Sequence, residues 1–427
     1  MEIYSLRPNQ ELMLANIRSH SWLIVLGAMQ SGKTLPSAIA GKEMGGRTLV
    51  VCPLPAVPNW HKTFKLIDHS DYDVMSYSKM NRQYKDLFHK ASIYTHNYST
   101  LIIDEIHEMR SYSLKYQTVR RMVKHFNFKK KIGLTGTLVD KDPSELFYPL
   151  SLLTDKYGKS RQTFYDVFCR IVNPGSKYPN YVLRPDIAQE FRNSLAEFCF
   201  SYEGEGMVHP EIIEKKYPLM TKQKEKIKAL MENEEFPEID NEHANLELSN
   251  RRNKMRQLLS GFYIRNDKSI VRPCVTIKWF TLTTLVSKYS KRVVIWVAYN
   301  EEKNLVRRCL RYLNCAEFSH SNLEAFKRDE IDVLICHPRS ASMGISMAHA
   351  EVAIYVSQVH SAIDMQQSMA RLSQYKGEGG KKIYLLVPEE AQYDMFKNTK
   401  QKFKTNKRLY EDTDDRKRRE GKDQSRL

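Results

Sequence analysis

The residues Gly27-Ala-Met-Gln-Ser-Gly-Lys-Thr34 fit the pattern G-x-x-x-x-G-K-[ST] and follow directly on the apolar run Trp22-Leu-Ile-Val-Leu26. A buried strand there would deliver a loop whose glycines, Gly27 and Gly32, let successive backbone N–H groups face a phosphate. Gln30 and Ser31 would complete the cradle, Lys33 would offer a point charge to the β- and γ-oxygens, and Thr34 a hydroxyl to Mg²⁺. The spacing therefore points to a nucleoside triphosphate, with ATP and Mg²⁺ as the expected cofactors. About seventy residues on, Leu101-Ile-Ile-Asp-Glu-Ile-His107 sets two carboxylates at the end of another apolar run. Asp104 is placed to hold the metal and Glu105 to polarise an attacking water.

These groups need a scaffold that brings strand ends together. Short apolar runs at Leu23–Leu26, Thr48–Cys52, Thr100–Ile103 and Lys131–Leu134 alternate with helix-compatible stretches, the pattern of a parallel sheet with crossover helices. A second set at Val293–Val297, Val333–Cys336, Val352–Val356 and Ile383–Val387 implies a second α/β lobe. Between about 150 and 270 the aromatic and Leu spacing turns helical, which predicts a helical insertion, since so long a stretch is not expected to be structureless. The expected boundaries are 1–150 for the first lobe, 151–268 for the insertion, 269–395 for the second lobe and 396–427 for a basic, disordered tail.

The chain has 427 residues and 67 Lys+Arg against 50 Asp+Glu, a formal charge of +17 that favours polyanions through counterion release. Nucleic acid is the first candidate partner. Seven scattered cysteines, with no C-x-x-C pair, read as reduced core thiols and exclude a cysteine-based zinc module. Neither a signal sequence nor a run of 18 apolar residues is seen, so no membrane association and a cytoplasmic location are expected.

Further pieces fall in order around the loop: Leu6-Arg-Pro-Asn-Gln10 before it, Val51-Cys-Pro53 with Asn59-Trp60 after it, and Leu134-Thr-Gly-Thr137 after the Asp-Glu pair. Jointly the chain resembles superfamily 2 helicases. Gln10 stands at the adenine-sensing motif, Gly27–Thr34 at motif I, Asp104–His107 at motif II and Leu134–Thr137 at motif III. Within that superfamily the chain is most similar to the Swi/Snf-like branch of double-stranded DNA translocases. The similarity rests on Ser144-Glu-Leu-Phe-Tyr-Pro-Leu-Ser-Leu-Leu, on Tyr157-Gly with Phe164 and Phe168-Cys, and on Arg251-Arg-Asn-Lys-Met-Arg-Gln257. Gly344-Ile-Ser-Met-Ala-His-Ala350 resembles motif V and puts Gly344 among the nucleotide-binding residues. The likeness runs to about residue 390 and implies two RecA-like parallel-sheet lobes that close on ATP and reopen after hydrolysis.

Motif VI departs from the family. Such ATPases present a Gln followed by two arginines three apart, the second acting as arginine finger. Here Gln367-Ser-Met-Ala-Arg371-Leu-Ser-Gln374 has Arg371 at the first position and Gln374 at the second. A shifted register makes Arg371 the finger at the loss of the upstream Gln; Lys376 and Arg339 are the other cations in reach along the sequence. The resemblance implies a minimal motor on duplex or branched DNA, similar to fork-reversing and branch-migrating enzymes of the UvsW-type phage helicases, with roles in recombination and repair. Two alternatives stay open. Asp-Glu-Ile-His is close to the DEAH box of RNA-dependent ATPases, and a degraded motif VI suits an ATP-switched DNA clamp that does not translocate.

Overall fold

The computed structural model describes residues 5–27, 31–87, 97–139, 142–172, 174–175, 180–202, 207–232, 248–289, 291–338, 346–357, 361–375 and 380–390. Two compact units emerge, the first including Met1–Met207 and the second Val208–Lys400. Each is built on a six-stranded sheet, and every described strand pairing within these two sheets is parallel. The architecture is that of two RecA-like lobes.

The first unit runs from α1 (Pro8–Ser19) into β1 (Trp22–Gly27), α2 (Thr34–Glu43), β2 (Arg47–Cys52), α3 (Val57–Leu66), β3 (Tyr72–Ser76), α4 (Tyr77–Leu87), β4 (Tyr98–Asp104), α5 (Leu114–His125) and β5 (Lys130–Thr135). It continues through α6 (Phe147–Leu153), α7 (Arg161–Phe168), a hairpin of β6 (Cys169–Ile171) with β7 (Tyr181–Leu183), α8 (Ala188–Glu197) and β8 (Cys199–Tyr202). The sheet order is β3-β2-β4-β5-β1-β8.

Both faces of this sheet are covered, which explains why its central strands read as unbroken apolar runs. Leu23, Val25, Val50, Cys52 and Ile102 pack on one face with Met13, Ile17, Ile39, Trp60 and Phe64 from α1 to α3. Their chain neighbours Ile24, Leu26, Leu49, Val51 and Ile103 pack on the other with Tyr116, Val119, Phe147 and Phe164. At 25 cal/mol per Å² or so, this two-sided burial is the dominant stabilising term, and it fixes the strand register that aligns the loop-bearing ends.

The second unit orders its strands 211–217, 382–388, 352–355, 293–296, 333–336 and 315–317. Val293–Trp296, Val333–Cys336 and Val352–Tyr355 are buried throughout. Beneath them lies a fully buried polar cluster. Lys278 Nζ donates to Ser260 Oγ (2.8 Å) and Ser357 Oγ (2.7 Å), and both hydroxyls donate to Glu302 Oε1. The other oxygen of Glu302 accepts from the N–H groups of Ala298 and Tyr299. Burial pulls the Lys278 ammonium down to about 8, against the raising influence of Glu302.

The stretch expected as a helical insertion is shared between the units. Up to Met207 it belongs with the first, where Cys199–Tyr202 joins the sheet beside β1. From Val208 it belongs with the second, where Glu211–Tyr217 pairs with Lys382–Pro388 as an edge strand. The expected tail, 396–427, lies outside the described residues. All seven cysteines are free thiols, four of them buried, as expected of core residues. Among the described residues no helix is long and apolar enough to cross a membrane.

Candidate nucleotide site in the first unit

Register places the chemistry at one end of the sheet. Leu26 stands opposite Thr135, and Leu134 opposite Asp104, so β1, β5 and β4 end level with each other at their carboxyl ends. In parallel sheets that is where ligands bind.

The loop after β1 is shaped by its glycines. Gly32 adopts φ +84°, and a Cβ there would lie 2.5 Å from Gln10 Nε2 and 2.6 Å from an Arg7 guanidinium nitrogen. Backbone strain disfavours a side chain there, and one would also push aside the Gln10 amide and the Arg7 guanidinium. A Cβ on Gly27 would meet Ser31 Oγ at 2.9 Å. Thr34 opens α2, so the first-turn N–H groups of that helix point out at the loop, the arrangement that favours anions. Lys33 Nζ donates to the Gly27 carbonyl at 2.6 Å, folding its ammonium back across the loop it would serve.

Gln10 is buried and held in both directions. Its Nε2 donates to the Gly32 carbonyl (2.9 Å) and its Oε1 accepts from the Arg7 N–H (3.0 Å). The structure thus ties the start of α1 to the phosphate-binding loop through one amide.

Asp104, the last residue of β4, is half-buried. Its Oδ2 accepts from the indole N–H of Trp60 at 2.9 Å, and its main-chain carbonyl accepts from the Tyr77 hydroxyl. Burial, and next the neighbouring Glu105 carboxylate, push the Asp104 carboxyl up to about 6, with the Trp60 hydrogen bond and the Lys33 charge opposing.

Glu105 has φ +54° and ψ +53°, the left-handed region that a residue with a Cβ enters at a cost. This turn swings its carboxylate off the strand line and toward His107, whose Nδ1 is 3.2 Å from Glu105 Oε2. The same nitrogen is 2.9 Å from Thr135 Oγ1, which donates to the Thr137 carbonyl and accepts from the Thr137 N–H. Gly136 lies against Gly27, its Cβ position 3.5 Å from the Gly27 carbonyl. Phosphate loop, acidic strand end and Thr-Gly-Thr turn therefore form one connected set.

The donors present suit Mg²⁺. Asp104 Oδ2 accepts from the Trp60 indole and the carboxylate is also hydrogen-bonded by the Glu105 backbone, so Asp104 and the Thr34 hydroxyl together offer a hard cation two oxygens rather than a full cage. Magnesium characteristically takes one or two such oxygens and fills its shell with water and phosphate, so a dedicated ligand cage is not required.

Of the remaining sequence candidates, Arg371 lies in the second unit, buried at the C-cap of helix Ala362–Ala370, with its carbonyl accepting from the Met347 N–H at 3.1 Å. Gln374 begins a two-residue strand. Gln30, Gly344, Arg339 and Lys376 lie outside the described residues. Sequence reasoning did not single out Trp60 and Tyr77 as neighbours of Asp104. The sequence marks Trp60 only as part of Asn59-Trp60, and no local signal marks Tyr77.

Residues 67–275 match the model of the SNF2-related domain, a span that contains Asp104–His107 and Leu134–Thr137 and begins after the phosphate loop. No curated protein matches the chain. Among solved structures, the Pyrococcus furiosus Hef helicase domain is similar in fold at 13% identity and a TM-score of 0.52, covering 92% of this chain and 98% of that one. The Sulfolobus solfataricus SWI2/SNF2 ATPase core in complex with dsDNA aligns at 15% identity and a TM-score of 0.40, covering 90% and 88%. The chain thus shares a two-lobed fold with the Hef helicase domain, and its residues 67–275 match the SNF2-related domain.

Proposed function

We propose that this protein is an ATP-dependent motor on nucleic acid, a helicase or translocase whose track is duplex or branched DNA. The observation that carries the reading is the convergence of the Gly27–Thr34 loop, Asp104–Glu105 and the Thr135-Gly-Thr137 turn at one sheet end, within a chain matching the SNF2-related domain. Lys33 and the first turn of α2 would hold the phosphates, and Gln10, fixed against Gly32, would read the base. Asp104 Oδ1 and the Thr34 hydroxyl would hold Mg²⁺, which when bound neutralises phosphate charge. Glu105, turned out of the strand, would orient the attacking water, and His107 would link it to Thr135. Arg371 is the proposed source of compensating charge.

DNA as the track is supported by the +17 charge and the SNF2-related match. Roles in fork reversal, Holliday-junction migration or repair, and a phage or cytoplasmic setting, extend the same proposal by resemblance. The test compares ATP turnover by the full chain alone and with duplex DNA, single strands, a four-way junction and RNA. Stimulation by duplex or junction supports the reading, and stimulation by RNA above every DNA would replace it with an RNA-dependent ATPase. Triplex displacement then separates a motor from an ATP-switched clamp.

A further inference from the structure

We infer that Trp60 is a positioning residue for the metal-binding carboxylate: its indole N–H holds Asp104 Oδ2 so that Oδ1 is presented to Mg²⁺. The inference rests on the nucleotide reading above and adds a residue to it.

Trp60 sits on α3 with no exposed surface, packed in the core that includes Phe64, Val74 and Ile102. Any buried indole seeks an acceptor, and a main-chain carbonyl would serve. Here the acceptor is instead the one side chain at the end of β4 suited to a divalent cation, at 2.9 Å. A carboxylate rotates about its last torsion over a broad, two-fold well unless something fixes it. With Trp60 on one oxygen and the Tyr77 hydroxyl on the main-chain carbonyl, both the group and the backbone beneath it are held. The hydrogen bond also favours the charged form, against the burial and the Glu105 repulsion that disfavour it. Partners of this kind orient metal ligands in general, and losing one costs about ten- to a hundredfold in metal affinity.

The test uses two substitutions that separate the hydrogen bond from packing. The five-membered ring of His superposes on that of the indole, so Trp60→His keeps an N–H at the position that faces Asp104 and loses the six-membered ring. Trp60→Phe keeps an aromatic ring and loses the donor. A fluorescent, non-hydrolysable ATP analogue is titrated into each full-length protein in EDTA, and MgCl₂ is then titrated at fixed analogue.

Metal-free affinity should agree within about twofold among wild type and both variants. The MgCl₂ midpoint should rise about tenfold in Trp60→Phe and by less than about threefold in Trp60→His. A midpoint for Trp60→Phe near that of wild type, or a larger rise in Trp60→His than in Trp60→Phe, overturns the inference and leaves Trp60 as packing. Should either variant fail to fold, wild-type protein carrying 5-fluorotryptophan supplies a second readout. Of its four tryptophan resonances, one should move in Asp104→Asn and on adding Mg²⁺ with nucleotide; no movement overturns the inference. If wild type binds the analogue but gains nothing from Mg²⁺, the metal reading itself falls. If it does not bind at all, the nucleotide reading falls first.

Discussion

The left-handed turn at Glu105 allows a reversal of the ordinary stability order of alanine and glycine. At most positions Gly is less stable than Ala by about 0.5–1 kcal/mol, because the unfolded chain has more freedom to lose. Glu105 has φ +54°, where an L-residue is disfavoured by roughly 1–2 kcal/mol and glycine is not. Both Glu105→Ala and Glu105→Gly remove the carboxylate and its 3.2 Å approach to His107 Nδ1, so that loss cancels between them. The remainder should make the Gly variant more stable by about 0.5–1 kcal/mol. In a unit of this size that is a rise in Tm of about 1–4 °C. Calorimetry and urea unfolding of the two proteins measure the difference directly, and both should be devoid of ATP turnover. A Glu105→Ala protein as stable as Glu105→Gly, or more so, would refute the claim that the backbone is strained there.

Other substitutions probe the rest of the site. Lys33→Ala should abolish hydrolysis, measured by phosphate release, while nucleic-acid binding in a filter or anisotropy assay largely survives. Glu105→Gln should still bind nucleotide with Mg²⁺ but turn over at least about a hundredfold more slowly, a range typical of losing general-base or water-orienting help. Arg371→Ala should lower kcat more than it weakens ATP binding. If Gln374 occupies the finger position, Gln374→Arg should accelerate turnover, whereas a finger already at Arg371 predicts no gain. In the second unit, the native state gives up the Lys278 proton near pH 8 while the unfolded chain keeps it to about 10.5. Stability of wild type relative to Lys278→Met should therefore climb as pH rises from 8 toward 10.5, by about 3 kcal/mol, and stay flat well below 8. Urea unfolding at a series of pH values reads this difference, and a flat difference across that range would show that Lys278 keeps its proton.

What could be read in the sequence follows from where each strand lies. Thr48–Cys52, Thr100–Ile103, Val293–Val297 and Val352–Val356 sit in sheet interiors with both faces covered, and such strands announce themselves as apolar runs. Glu211–Tyr217, with the sequence EIIEKKY, is an edge strand exposed along most of its length, and Cys199–Tyr202 and Cys315–Glu317 are edges of three or four residues. Their patterns are weak because they are short or exposed edges, and the first two fall within the stretch expected to be helical. In the site, Gly27–Thr34 and Asp104–Glu105 were legible because each chemistry is confined to a few consecutive residues. Trp60 and Tyr77 reach Asp104 across 44 and 27 residues of chain. No spacing rule connects them, only the order in which α3, β3 and β4 pack.

The central claim is that this site hydrolyses ATP in response to a nucleic-acid track. Its most direct test is steady-state phosphate release by the purified chain with saturating Mg²⁺ and ATP, with and without duplex DNA, using Lys33→Ala as the blank. The account predicts turnover that duplex or junction DNA raises at least about tenfold. Because Lys and Arg neutralise phosphates, DNA binding should also weaken steeply between about 50 and 200 mM salt. Turnover that no nucleic acid changes, or that survives in Lys33→Ala, would contradict it.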